Sequence, residues 1–435
     1  MNYHAYASLN RCGITAKPKR HIKVSRFLSF VIYFLGLLSL MAPSDSSLRW
    51  AGVVFVVSLQ LIRIARKNRL DSLEVALGLT AVLLFCVPGV FIKYSYGIDV
   101  IVSFLSFFLA TDFMLFSQRK IGDKKVIHSG PRKISTRLRL QLYLSFILGW
   151  CVLASIFLDA DGFLGLTLFV IPYSVSLLFL EGLLAHGITR RAIFAWLLVY
   201  AAVVAIYLIY SWNGFGRLVV GAFLLAPVLV VNSKIDIYLR GWLLVLSAPI
   251  LLGVAQFSRY GGIASLNQWF GGSAGHHYVV THDAWEFEIS QIAGGVIPFL
   301  EQFLLFFLNW LPSGWWEEKP VGIGSYSVEL MYDPSGFSSG YSQSVGFLGE
   351  LYLTLGAFAV FGLIFILSVL SFLRFIVHRF SFGSIVPLVI FDVNIISYFW
   401  GGMATFGSRF WFMIIPTICV LWFLRSRAST RNLSV

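Results

Sequence analysis

The chain has 435 residues, of which 58% are hydrophobic and only 12% charged, with a formal net charge of +13. A soluble domain carries roughly 25% charge, so a water-soluble fold is excluded, as are a disordered chain, a collagen-like repeat and a disulfide-rich secreted scaffold. The composition predicts an all-α polytopic membrane protein, a helical bundle whose solvent is lipid, and the basic excess is read first as topology and not as a nucleic-acid surface.

Residues 1–26 form a basic tail holding Arg11, Lys17, Lys19, Arg20, Lys23 and Arg26. The apolar run from Phe27 has no small-residue cleavage site, which predicts a retained first span and not a cleaved signal. A helix needs about 20 apolar residues to cross the hydrocarbon. Such runs occur, some of them short, at 27–43, 50–64, 73–92, 100–116, 140–158, 162–180, 192–210, 218–232 and 241–257. They make 27–257 a transmembrane bundle of about nine spans. Three more at 346–371, 383–400 and 409–424 make a second bundle over 346–424, and 425–435 is a second basic tail. Pro88, Pro172, Pro227, Pro249, Pro387 and Pro416 fall inside these runs, which membrane helices tolerate when neighbours satisfy the freed carbonyls. Cys12, Cys86, Cys151 and Cys419 show no pairing or metal spacing, so no disulfide and no thiolate site is expected.

Lys and Arg collect in cytoplasmic loops. With twelve spans and both termini inside, Arg49, Lys93, Arg217, Arg259, Lys319 and Arg409 are the bases left on the outer side. The apolar stretch 292–311 tests this arrangement. Counted as a span, it would put Arg374, Arg379, Arg425, Arg427 and Arg431 outside, so it is expected to lie on or re-enter the outer face. Glu301, Gln302 and Asn309 within it suit an interfacial helix. Residues 258–345 then form one large outer loop containing that helix.

The loop concentrates polar chemistry outside: acids from Asp283 to Asp333, and His276, His277 and His282. The histidines match no zinc spacing. One of them acting as general base for a sugar hydroxyl fits the neutral-pH range of imidazole better. Arg217, Arg259 and Arg409 each stand at an outer helix end. Guanidinium binds phosphate in a bidentate fork and keeps its charge, so three at the lipid–water boundary suit a lipid-linked pyrophosphate. The alternative is snorkelling to headgroups. Glu350 falls just inside a span, where a carboxylate is costly and faces the bundle or a cavity. It is either an acid at an active cavity or a helix-start carboxylate favoured by the dipole. Trp310, Trp315 and Trp316 flank the interfacial helix, either as an aromatic belt or, for Trp315 and Trp316, as a stacking platform for sugar rings. Asp112, Asp392 and Asn394 lie within spans, where interhelical hydrogen bonding is favoured over ion coupling. No phosphate-cradling glycine loop or sugar-nucleotide motif is evident, which disfavours an inner-face enzyme using soluble nucleotide sugars.

The stretch Gly346, Gly349, Glu350, Tyr352, Thr354 and Gly356 resembles the signature of the O-antigen polymerase (Wzy) family of oligosaccharide repeat-unit polymerases, which often reads Gly-Glu-x-Tyr-x-Asn-x-Gly. Thr354 stands where Asn is frequent. The Gly216-Arg217 step is similar to the Gly-Ser-Arg-Gly step that opens a span in that family, without its Ser and second Gly, and a Gly-Ser-Arg near the C-terminus, here Gly407-Ser408-Arg409, also resembles it. The plan of ten to fourteen spans with one large outer loop in the second half also resembles it. The resemblance implies a reaction: undecaprenyl-pyrophosphate-linked oligosaccharides are joined at the outer face of a bacterial inner membrane, without nucleotide or metal. It implies Glu350, Tyr352, His276 and His282 as catalytic candidates and Arg217, Arg259 and Arg409 as pyrophosphate ligands. Its implied partners are the lipid-linked oligosaccharide, membrane lipid and a chain-length regulator, with no nucleic acid. The alternatives are an O-antigen ligase of the same chemistry and, in another class, a flippase of lipid-linked oligosaccharide.

Overall fold

The computed structural model describes residues 72–81, 162–186, 190–210, 217–234, 298–331 and 345–432, with single positions between 84 and 150. His276, His282, Arg259 and most of the 258–345 loop lie outside the described residues, as do the runs at 27–43, 50–64 and 241–257. What is described is helical. In chain order the helices are α1 (Ser72–Ala81), α2 (Gly162–His186), α3 (Arg190–Tyr210), α4 (Arg217–Lys234), α5 (Phe299–Leu308), α6 (Ile323–Met331), α7 (Gly346–Leu355), α8 (Ala359–Phe380) and α9 (Val386–Asn432). Two stretches, Gly346–Phe380 and Val386–Trp422, are long and apolar enough to cross a membrane.

Helix α8 has one covered face and one uncovered face. Ala359, Gly362, Leu363, Ile366, Leu367, Leu370, Leu373 and Val377 recur every three or four residues and are buried. The opposite face is equally apolar but uncovered: Phe361 is 70% exposed and Phe372 61%, with Ile364, Phe365 and Phe375 between and beside them. An exposed apolar stripe of this kind marks a surface for lipid or for another protein.

Helix α9 is the hub, packing against α1, α2, α4, α5, α6, α7 and α8. It is not one straight rod. At 1.5 Å per residue, Phe391 would lie about 22 Å from Phe406 and 28 Å from Phe410. The ring centroids are 6.2 and 5.3 Å apart. Asn394 likewise reaches the Met413 sulfur at 3.4 Å. The helix therefore folds back on itself, and the fold is at Gly402, whose φ of 79° and ψ of −167° are non-helical. A first arm runs from Val386 to Gly401 and a second, antiparallel arm from Met403 onward.

Both arms are tied to their neighbours by polar side chains. At the end remote from Gly402, Asp392 takes a two-pronged bond from Arg374 of α8 (2.7 and 3.0 Å) and a hydroxyl bond from Ser72 of α1. Glu181 of α2 caps the start of α9, accepting the Ile385 N–H at 3.0 Å and the Ser384 hydroxyl. Thr417 of the second arm bonds Ser174 of α2 at 2.7 Å, and Trp196 of α3 donates to the Ser176 carbonyl at 2.9 Å. Rings also pack closely between helices (Phe107 on Phe399 at 4.9 Å, Tyr173 on Phe223 at 4.7 Å), and between membrane helices such polar bonds contribute about 0.6–2 kcal/mol each.

Candidate functional site

Polar groups gather at the Gly402 end of the bundle. Helix α7 brings Glu350, fully buried, against the hairpin turn. Its Oε2 accepts the backbone N–H of Met403 at 2.8 Å. That amide is the first of the second arm and has no carbonyl of its own arm to bond. Gly402 permits the approach twice over. Its positive φ suits a residue without Cβ, and a Cβ there would stand 2.5–2.8 Å from the Glu350 carboxyl atoms. The carboxylate therefore does serve a helix dipole, but that of the second arm of α9 and not that of its own helix. Its Oε1 has no hydrogen-bond partner among the described residues, and neither does the hydroxyl of fully buried Tyr398, which lies within electrostatic reach of Glu350.

Arg409 sits two turns down the second arm, about 10 Å from Gly402. It is half-buried, and its Nη1 makes one long bond, 3.4 Å, to the Ser397 hydroxyl of the first arm. The phenol of Tyr207, from α3, is within electrostatic reach. No carboxylate bonds this guanidinium among the described residues.

The α5 segment is seated on the same arm. The Asn309 side-chain amide donates to the Ala404 carbonyl at 2.7 Å, and Trp411 Nε1 donates to the Phe306 carbonyl at 2.9 Å. Gly407 lies directly on the backbone of Leu305 and Phe306, with no room for a side chain. Gln302 fastens the α5–α6 connection by donating to the Val321 carbonyl (2.9 Å) and accepting the Ile323 N–H (3.0 Å). Lys319 closes the end of α5 with bonds of 2.8 Å to the carbonyls of Asn309 and Leu311. Burial there pushes its ammonium below the usual lysine range.

The expected site residues distribute as follows. Glu350 and Arg409 come to one end of the bundle, on α7 and the α9 hairpin. Tyr352, two residues on from Glu350, is buried in α7. Arg217 is the first residue of α4, and its side chain lies outside the described residues. Trp315 is 75% exposed in a single 3₁₀ turn and Trp316 is half-buried beside it. The expected helix in 292–311 is present as Phe299–Leu308, about 15 Å long and so too short to span. Asp392 and Asn394 make the interhelical bonds described above. Sequence reasoning missed Gly402, Tyr398, Ser397 and Tyr207. The Gly401-Gly402 pair between two apolar runs was the available signal for the turn; nothing in the sequence marked the tyrosines. Among the described residues no cluster of three His, Cys, Asp or Glu side chains is placed to hold a metal.

No protein-family model matches the chain, nor does any curated protein or any solved structure.

Proposed function

We propose that the chain is a multi-pass enzyme of a bacterial inner membrane that joins undecaprenyl-pyrophosphate-linked oligosaccharide repeat units into a surface polysaccharide such as O-antigen. The termini lie in the cytoplasm, about twelve helices cross, and the 258–345 loop is periplasmic. The observation that carries the reading is Arg409: a half-buried guanidinium between two apolar arms, bonded only weakly to a hydroxyl. A cation so placed is costly in hydrocarbon unless an anion joins it. A pyrophosphate on a polyprenyl carrier brings its charge to that depth from the membrane side while its sugars stay in water. The distribution of charge agrees. Arg374 and Arg379 lie at the end of α8 remote from Gly402, and the second arm runs on toward Arg425, Arg427 and Arg431.

In this reaction the growing chain leaves its pyrophosphate and is transferred to a sugar hydroxyl of an incoming unit. Arg409, with Arg217 and Arg259, stabilises the departing diphosphate, whose charge grows as the glycosidic bond breaks. His276 or His282 of the outer loop takes the acceptor proton.

A chromosomal deletion profiled by mass spectrometry of the surface glycan tests this. Polymerase loss leaves lipid A core bearing a single repeat. Core with no repeat at all, alongside accumulated polymer on the carrier, identifies a ligase instead. Repeat units trapped on the cytoplasmic face identify a flippase. Arg409→Ala shortens the chains to about one repeat; full-length chains from both Arg409→Ala and Arg217→Ala refute the pyrophosphate clamp.

A further inference from the structure

Glu350 is the most conspicuous acid at this end, and the obvious assignment is the base that deprotonates the acceptor. Its surroundings argue for another role. One carboxylate oxygen is spent on the Met403 amide at 2.8 Å, and the whole side chain is sealed, with no exposure. Gly402 closes over it so tightly that a methyl group there would overlap both oxygens and the carboxyl carbon. A base must reach a substrate hydroxyl within about 2.6–3.2 Å, and the side facing the turn is walled off. What the carboxylate does touch is the origin of the arm that carries Arg409. The same stretch is fixed from its other side by Asn309 on the Ala404 carbonyl and by the backbone of α5 under Gly407. The short stretch from Met403 to Arg409 is thus pinned at its first amide, its second carbonyl and its fifth residue.

We propose that Glu350 is a positioning residue: it caps the second arm of α9 in place of a helix-own N-cap, fixes the Gly402 reversal, and thereby sets where Arg409 meets the diphosphate of a polyprenyl-linked substrate. This rests on the polymerase reading for its substrate and on the geometry alone for its cap. A carboxylate cap needs an acceptor oxygen at a set reach, not a negative charge. A glutamine of equal length supplies that oxygen. An aspartate keeps the charge but is one methylene too short. A base has the opposite demands, since glutamine takes up no proton and aspartate does.

The test uses the full chain in proteoliposomes, with lipid-linked repeat units isolated from a polymerase-null strain as substrate. Misplacing a reacting or binding group by about 1 Å costs roughly 100-fold, so Glu350→Ala lowers kcat/KM for the lipid-linked unit by up to that factor. Glu350→Gln recovers most of the loss with the pH profile of the wild type, and Glu350→Asp recovers little. The order Asp above Gln, or a fall in kcat of about 10²–10⁴-fold in Glu350→Gln at wild-type KM, is the signature of a lost base and overturns the proposal. Hydrogen exchange at the Met403 amide is followed in the same preparations. It stays slow in the wild type and in Glu350→Gln and speeds up in Glu350→Ala. Equal exchange in all three overturns the cap itself. If the wild type extends no chains at all, the polymerase reading fails while the exchange experiment still decides the cap.

Discussion

At the scale of single residues, buried charges divide into those that hold helices and those that await a ligand. Asp392 and Arg374 are of the first kind: the carboxylate has no exposure, the guanidinium side chain 11%, and their bond is 2.7 Å. Removing one partner of a buried pair strands the other, at a cost of about 3–5 kcal/mol, whereas replacing both with apolar groups is close to neutral. Asp392→Ala is therefore expected to lose most monodisperse protein on mild heating, and Asp392→Leu with Arg374→Met to regain it, as read by size-exclusion after a thermal ramp. On the proposed function Arg409 is of the second kind, and Arg409→Lys is then expected to impair chain extension nearly as much as Arg409→Ala, because an ammonium cannot make the bidentate bond. The sequence alone marked Glu350 and Asp392 as polar inside apolar runs and Arg409 as a base at an outer helix end. It could not say which partner each meets. Arg374 and Asp392 are 18 residues apart, and the pairing follows from a helical reversal that hydropathy places only approximately.

At the scale of elements, the run boundaries came close where hydrophobicity changes and drifted where it does not. The expected span at 346–371 is broken at Gly356, whose φ of 53° and ψ of −125° separate α7 from α8, and α8 then continues as helix to Phe380, because His378 and Arg379 end the apolar run without ending the backbone hydrogen bonding and suit a helix C-terminus. The expected outer connection between 400 and 409 shrinks to Gly402, because Met403 through Ser408 stay helical once Glu350 satisfies the first amide. The helix inside 292–311 was legible from charge bookkeeping alone; its seat on α9 was not, since it depends on Gly407 having no side chain. Gly407→Val is expected to lever α5 off the second arm, seen as new protease cleavage between 298 and 323 and as lost chain extension. Lys319→Met frees the carbonyls of Asn309 and Leu311 and speeds amide exchange at the end of α5. The Lys319 ammonium has a lowered pKa in the folded state, so the unfolded chain holds that proton longer. Raising the pH toward the ordinary lysine value thus favours the folded segment, and α5 protection should rise, not fall, in that alkaline window.

At the scale of the whole molecule, polar fastening sits at both ends of the described helices while aromatic rings fill the space between. Periplasm-reporting enzyme fusions are expected to be active when joined within 298–331 and inactive when joined after Phe380 or after Asn432. The reverse pattern would invert the orientation proposed here. The Glu350 cap also has a consequence for biogenesis. The carboxylate precedes the Met403 amide by 53 residues, so at roughly 5–20 residues per second it leaves the ribosome about 3–10 s before the turn it serves. The bare amides of a reversing helix are among the costliest groups to release into lipid. On the proposed topology their acceptor enters the membrane before they do, so the order of synthesis places the cap ahead of the turn it serves.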